Sequence, residues 1–144
     1  MNASSVTEFD TSASQTVLVV TDDPKTAQLW IFLFQEKGCT AVSETPAYAI
    51  QTGRVLAPWL VLVDVKIPHV ERLALCRGLK SASRGVLLML LPSDHQQIAE
   101  AYAAGADECI VQPINPALVL VKVMSWMVRQ QLLGINNFAL ESFS

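Results

Sequence analysis

Residues 59–65 read WLVLVDV, and Lys66, Ile67 and Pro68 follow at once. Apolar residues run without alternation up to Asp64. A strand with one wet face alternates apolar and polar residues. A strand covered on both faces does not, and cover on both faces is the mark of a parallel sheet. Asp64 closes the run, and an ionised carboxylate there is costly unless it reaches the rim of the sheet or meets a proton or a cation.

The same grammar repeats outward in both directions. Upstream, TVLVV (16–20) is a β-branched run followed by Asp22, Asp23 and Pro24. Proline suits the first turn of a helix, with an acid before it as cap. That helix is predicted over 25–37, stopped by Gly38 in a left-handed conformation. CTAVS (39–43) reads as a second strand and PAYAIQTG (46–53) as a short helix closed by Gly53. Downstream, a helix over 71–80 leads to the strand GVLLMLL (85–91), and a helix over 94–106, ending at Gly105, leads to ECIVQP (108–113). A long closing helix is expected over 115–133, with Asn115 as cap, Pro116 at its first position and Gly134 as its terminator. Five apolar strands alternating with helices predict an α/β parallel sheet covered on both faces.

In such sheets ligands gather outside the carboxyl ends of the strands. Thr21, Asp22, Asp23, Asp64, Leu90, Leu91 and Gln112 are therefore the candidate site positions. Clustered carboxylates repel one another unless a cation or proton intervenes, so Asp22, Asp23 and Asp64 point to a hard divalent ion, Mg²⁺. With the cation screening an incoming phosphate, one carboxylate can act as nucleophile. The bland alternatives are that Asp22 or Asp23 only caps the first helix, and that Asp64 is only a solvated strand end.

The chain has 144 residues, of which 51% are hydrophobic and 16% charged, which suits one domain with a large core and argues against disorder. A net charge of −3 gives no basic footprint, so direct nucleic-acid binding is not expected. Three cysteines without a CxxC or Cys/His cluster suit a reduced protein better than a disulfide or zinc scaffold. Residues 1–15 are polar, lack signal-peptide order, and read as a flexible tail. No apolar run is long enough to span a bilayer, and a cytoplasmic protein with no membrane association is expected. A nucleotide-binding enzyme would need a phosphate-cradling loop after the first strand, and TDDPKT (21–26) puts acids and a proline there instead.

Taken together, VLVVTDDP, APWLVLVDVKIP and AAGADECIVQP resemble the receiver domain of bacterial two-component response regulators. The resemblance covers residues 16–133 and leaves 134–144 as a C-terminal tail or linker. It implies a flavodoxin-like (CheY-like) doubly wound sheet of five parallel strands, order 2-1-3-4-5, with five helices. It makes Asp64 the candidate phosphoacceptor, fed by a histidine kinase or phosphotransfer protein, with Mg²⁺ held by Asp22, Asp64 and the Lys66 backbone carbonyl. Asp23 is a further possible ligand. Pro68 stands at the family's loop proline, and Pro113 where a cis proline usually follows the fifth strand. The module is a signalling switch and not an enzyme.

The departures bear on the switch. Anchored on Pro24, Thr21 takes the place of the first family acid, so the metal should bind weakly. Gln112 stands where a lysine normally grips the phosphoryl oxygens. Leu90, or Leu91 on the alternative count, replaces the hydroxyl residue that swings toward the phosphate, and leucine donates no hydrogen bond. Cys109 replaces the aromatic rotor. Lys66 is a possible stand-in cation, its ammonium swinging back toward Asp22 and Asp64. The resemblance thus leaves two readings, a receiver with atypical switching or a phosphorylation-independent pseudo-receiver acting as a dimerisation or docking module. The apolar flank of the closing helix suggests a homodimer through that helix, alongside an output protein or domain as partner. On the first helix, Leu29, Trp30, Leu33 and Phe34 are expected inward, with Ile31 and Phe32 at or near solvent. On the closing helix, Leu118, Val121, Ser125 and Val128 are expected inward.

Overall fold

A computed structural model describes the backbone of residues 16–143 and the side chains of residues 16–130. The expected tail at 1–15 lies outside them. The strands are β1 Thr16–Thr21, β2 Thr40–Glu44, β3 Leu60–Asp64, β4 Val86–Leu91 and β5 Glu108–Val111. The helices are α1 Pro24–Glu36, α2 Ala49–Leu56 after a 3-10 turn at Pro46–Tyr48, α3 His69–Ala82, α4 His95–Ala103 and α5 Pro116–Phe143. All pairings are parallel and the strand order is β2-β1-β3-β4-β5, as expected. The chain divides into two compact units between Pro113 and Ile114.

In the first unit, Leu18, Val20, Val61, Val63, Leu87, Met89 and Leu91 join Ala49 of α2, Leu73 and Leu79 of α3 and Ala101 of α4 in one core cluster. The alternate strand residues Val17, Val19, Leu60, Leu62, Leu88 and Leu90 are just as deeply buried. Neither face of β1, β3 or β4 meets water, which explains their unbroken apolar sequence. Each such side chain contributes roughly 1.5–3 kcal/mol.

Helix ends mostly follow the local rules. Asp23 accepts from the Lys25 backbone N–H at 3.1 Å at the start of α1, and Asp94 accepts from Gln96 and Gln97 at the start of α4. Gly38 and Gly105, with φ of 83° and 117°, follow α1 and α4 in the left-handed region that glycine enters freely. Two expected glycine stops are corrected. Gly53 is buried inside α2 without positive φ, and a Cβ there would meet the Leu18 and Leu79 side chains at an ordinary 3.7 Å. That helix ends instead at Ala57, which itself adopts φ 48°. Gly134 does not end α5 either. Interior glycine costs only about 1 kcal/mol relative to alanine, which a long helix tolerates.

The facing of α1 follows expectation at Trp30 and Phe34, both buried, and at Phe32, which is exposed; Leu29 is exposed instead of buried. On α5 the expected phase is wrong. Leu118, Val121 and Val128 are exposed, and Val119, Leu120 and Val123 are the buried positions. Lys122, Ser125 and Arg129, at spacings of three and four, mark the exposed face, and the expected phase set Ser125 inward against that stripe.

Candidate functional site

The parallel register sets Thr21 directly beside Asp64. Thr21 is buried, and its hydroxyl accepts from the Asp23 backbone N–H at 3.2 Å. It therefore shapes the β1–α1 turn without adding charge. Asp22 is exposed, and its Oδ1 accepts from the backbone N–H of Lys66 at 3.2 Å. Lys66 lies two residues beyond Asp64, so this bond joins the β1 loop to the β3 loop. Asp22 and Asp64 are thus both fixed at one rim of the sheet.

Asp23 behaves differently. Its Oδ1 accepts from Lys25 and its Oδ2 from the Thr26 hydroxyl at 2.9 Å, so both oxygens are engaged at the start of α1. The Thr26 hydroxyl, with the Lys25 N–H second, holds its pKa below the usual carboxylate value. Capping is the role the geometry gives it. A cleft of about 270 Å³ opens beside it, lined by Thr21, Asp22, Asp23, Pro24, Ala27, Ser43, Glu44 and Thr45. Asp64 does not line this cleft.

Asp64 is half-buried, and its Oδ2 accepts from the indole Nε1–H of Trp30 at 3.1 Å. Trp30 projects from α1, is only 2% exposed, and packs on Phe34 with ring centroids 6.1 Å apart. The sequence placed Trp30 on the inward face of its helix but gave it no part in the site. The available signal was the indole itself, since a buried Trp N–H usually finds an acceptor. Lys66 is exposed, and it is its backbone N–H that meets Asp22. Among the described residues, its ammonium forms no ion pair with Asp22 or Asp64, so the stand-in cation expected there is not in place.

At the β4–β5 half of the rim the surroundings are apolar. Leu90 and Leu91 are buried, and Gln112 is exposed just past β5, its N–H donating to the Leu91 carbonyl at 2.9 Å. Burial pushes the Cys109 thiol up to about 11, against a lesser downward pull from the Tyr102 hydroxyl. The Gln112–Pro113 peptide is cis. Between the halves, Arg72 of α3 is 7% exposed and donates to the Ile67 carbonyl in the β3–α3 loop at 3.2 Å and to Gln97 of α4 at 3.3 Å.

Residues 17–124 match the response regulator receiver domain family. The chain belongs to that family. The receiver is 29% identical over 119 residues to the DNA-binding response regulator MtrA of Mycolicibacterium smegmatis, covering 81% of this chain and 52% of that protein. It is 25% identical over 123 residues to the transcriptional regulatory protein ResD of Bacillus subtilis, covering 84% of this chain and 51% of that protein. The receiver therefore spans about half the length of these curated relatives. A two-component response regulator from Clostridium difficile superposes with a TM-score of 0.72 at 18% identity, covering 82% of this chain and 98% of that one. A CheY-like receiver domain protein from Methanospirillum hungatei gives 0.71 at 21% identity, covering 82% and 97%. These two likenesses show the fold. No helix among the described residues is long and apolar enough to cross a membrane.

The family implies Mg²⁺. Two carboxylates with a backbone carbonyl suit an ion that keeps several of its waters. Here Asp22 and Asp64 each have one oxygen already in a hydrogen bond, leaving the other for a cation. Among the described residues no three acidic, His or Cys side chains group as a metal site. The donor set fits Mg²⁺ as a sparse site, one acid short of the family pattern.

Proposed function

We propose that this receiver accepts a phosphoryl group on Asp64 from a histidine kinase or phosphotransfer protein, with Mg²⁺ held weakly by Asp22, Asp64 and the Lys66 carbonyl. The observation that carries this reading is the Thr21–Asp64 register together with the Asp22–Lys66 bond, which keeps two carboxylates at one rim. Mg²⁺ supplies screening of the carboxylates against the incoming phosphate. The chain's own part is to hold Asp64 half-buried and oriented at the strand end. Switching is atypical, because Leu90, Cys109 and Gln112 offer neither hydroxyl, aromatic rotor nor cation. The test is incubation with acetyl phosphate and Mg²⁺ followed by intact mass. One added phosphoryl group, lost in Asp64→Asn, is expected. An unmodified wild-type chain supports the other reading, a phosphorylation-independent docking module, which the buried Leu90 and Leu91 favour.

The receiver works in the cytoplasm and passes its signal by protein contact. The DNA binding that relatives' names state would come from an output protein or domain other than this receiver. It pairs with a second copy through α5. Leu118 and Val121 are each 67% exposed and Val128 51%, and with Ser125 they fall at alternating spacings of three and four. In sequence the spacing continues through Leu132, Ile135 and Ala139. That is the a/d seam of a two-stranded coiled coil. Sedimentation at high micromolar concentration should give a dimer, and Leu118→Glu with Val121→Glu should give a monomer; a monomeric wild type removes the seam.

A further inference from the structure

We propose that Trp30 is a latch on Asp64, holding the acceptor carboxylate through its indole N–H and giving way when a cation or phosphoryl group arrives. The inference rests on the reading of Asp64 as phosphoacceptor and adds a residue that gates it. Trp30 Nε1 donates to Asp64 Oδ2 at 3.1 Å from a ring that is 2% exposed and packed against Phe34 at a 33° tilt. So buried an indole has no water to return to, and the bond is held by the packing of α1. A carboxylate has only two oxygens. The gated step needs one of them to attack the phosphorus of an acyl phosphate. The bond from phosphorus to the acyl oxygen breaks, its electron pair leaves on the departing carboxylate, and Asp64 becomes a mixed anhydride. The cation at the rim needs the other oxygen. With Oδ2 accepting from Trp30, one of its lone pairs is engaged, and whichever demand falls on Oδ2 must share that oxygen with the indole or displace it.

Hydrogen bonding also draws electron density from the oxygen that accepts it, which stabilises the charged carboxylate and weakens it as a nucleophile. The other half of the rim brings no lysine, and the indole is a neutral donor already bonded to the acceptor. Trp30 is thus a positioning residue that sets how readily Asp64 is loaded.

The test uses the whole chain labelled with ¹⁵N at its three indoles, Trp30, Trp59 and Trp126. Trp30→Phe assigns the Trp30 signal and removes the donor while keeping an aromatic ring. In the wild type, Asp64→Ala should move the Trp30 N–H signal upfield, and Mg²⁺ with beryllofluoride should move it the same way. Trp30→Phe should take phosphate from acetyl phosphate about tenfold faster than wild type, the factor a hydrogen bond to a charged acceptor carries. A Trp30 signal that ignores both Asp64→Ala and beryllofluoride overturns the latch, whatever the variant does. Equal labelling of the two chains overturns it as well, and leaves Asp64 standing as acceptor. No labelling of either chain overturns both the latch and the acceptor reading beneath it.

Discussion

At the β1–β3 half of the rim, Asp22 and Asp64 are tied in place by a backbone N–H and an indole, and Thr21 folds its hydroxyl back to the turn. At the β4–β5 half, Leu90 and Leu91 are buried, Cys109 is held neutral, and Gln112 stands exposed just past β5. Under the proposed function the first half takes the phosphoryl group, and the second has no lysine at Gln112 and no hydroxyl at Leu90 or Leu91. They rest on different strands, β1 and β3 for the first half and β4 and β5 for the second.

The apolar character of the second half has a direct chemical readout at Cys109. Its thiol is raised from an ordinary 9.0 to about 11, first by burial. The thiolate is the form that reacts, so at pH 8 alkylation by iodoacetamide should run about a hundredfold slower than for an ordinary cysteine. The sign for stability follows. The folded state prefers the protonated thiol, so this contribution is whole below pH 9.0 and is lost as pH rises through about 11. Mass-mapped alkylation in the native state, with the unfolded chain as reference, measures it. Labelling at the ordinary rate would mean that the β5 side of the rim is wet and that the contrast between the halves is weaker than drawn.

Arg72 stitches the halves together, because its guanidinium reaches the loop after β3 and the helix after β4 at once. Arg72→Ala removes both bonds and leaves the half-buried Ile67 carbonyl short of a donor. A loss of about 2–3 kcal/mol in urea unfolding is expected. A loss under about 0.5 kcal/mol, the range of an ordinary surface change, would show the halves to be joined elsewhere.

The sheet and most of the site were legible in the sequence for different reasons. The strands announced themselves because burial on both faces leaves no polar residue between Leu60 and Val63 or between Val86 and Leu91. Asp22, Asp64 and Gln112 were found because strand ends in a parallel sheet share a rim, whatever the side chains do. The Trp30–Asp64 bond was not legible, since the two residues lie 34 apart and the ring's tilt depends on Phe34 and its neighbours. The same is true of Arg72, which reads as a polar position on a surface helix and is in fact buried. Glycine misled twice, at Gly53 and Gly134, because a glycine signals a helix stop only when the chain needs positive φ there. The rotation of α5 failed because apolar residues on both sides outweighed the stripe of Lys122, Ser125 and Arg129 that marks its exposed face. Its exposed seam of Leu118, Val121 and Val128 is as apolar as its buried side.

Restoring a cation to the second half is the remaining way to sharpen the contrast. Gln112→Lys places an ammonium at the end of β5, on the strand that pairs with β4 and so two strands from Asp64. A pair near 4 Å is worth roughly 4 kcal/mol at an effective dielectric of about 20. Gln112 is exposed, however, and solvent screening cuts an exposed pair to about 1 kcal/mol or less. Partial shielding by phosphate and protein puts the expected gain between these, near a tenfold faster labelling by acetyl phosphate, which corresponds to about 1.4 kcal/mol. The rate should also become more sensitive to salt than in the wild type, because a new charge now helps draw in the phosphate. A faster rate with unchanged salt sensitivity would trace the gain to packing at β5 and not to charge. No gain at all would mean that the lysine cannot reach the acceptor, and that the two halves are separated by geometry as well as by composition.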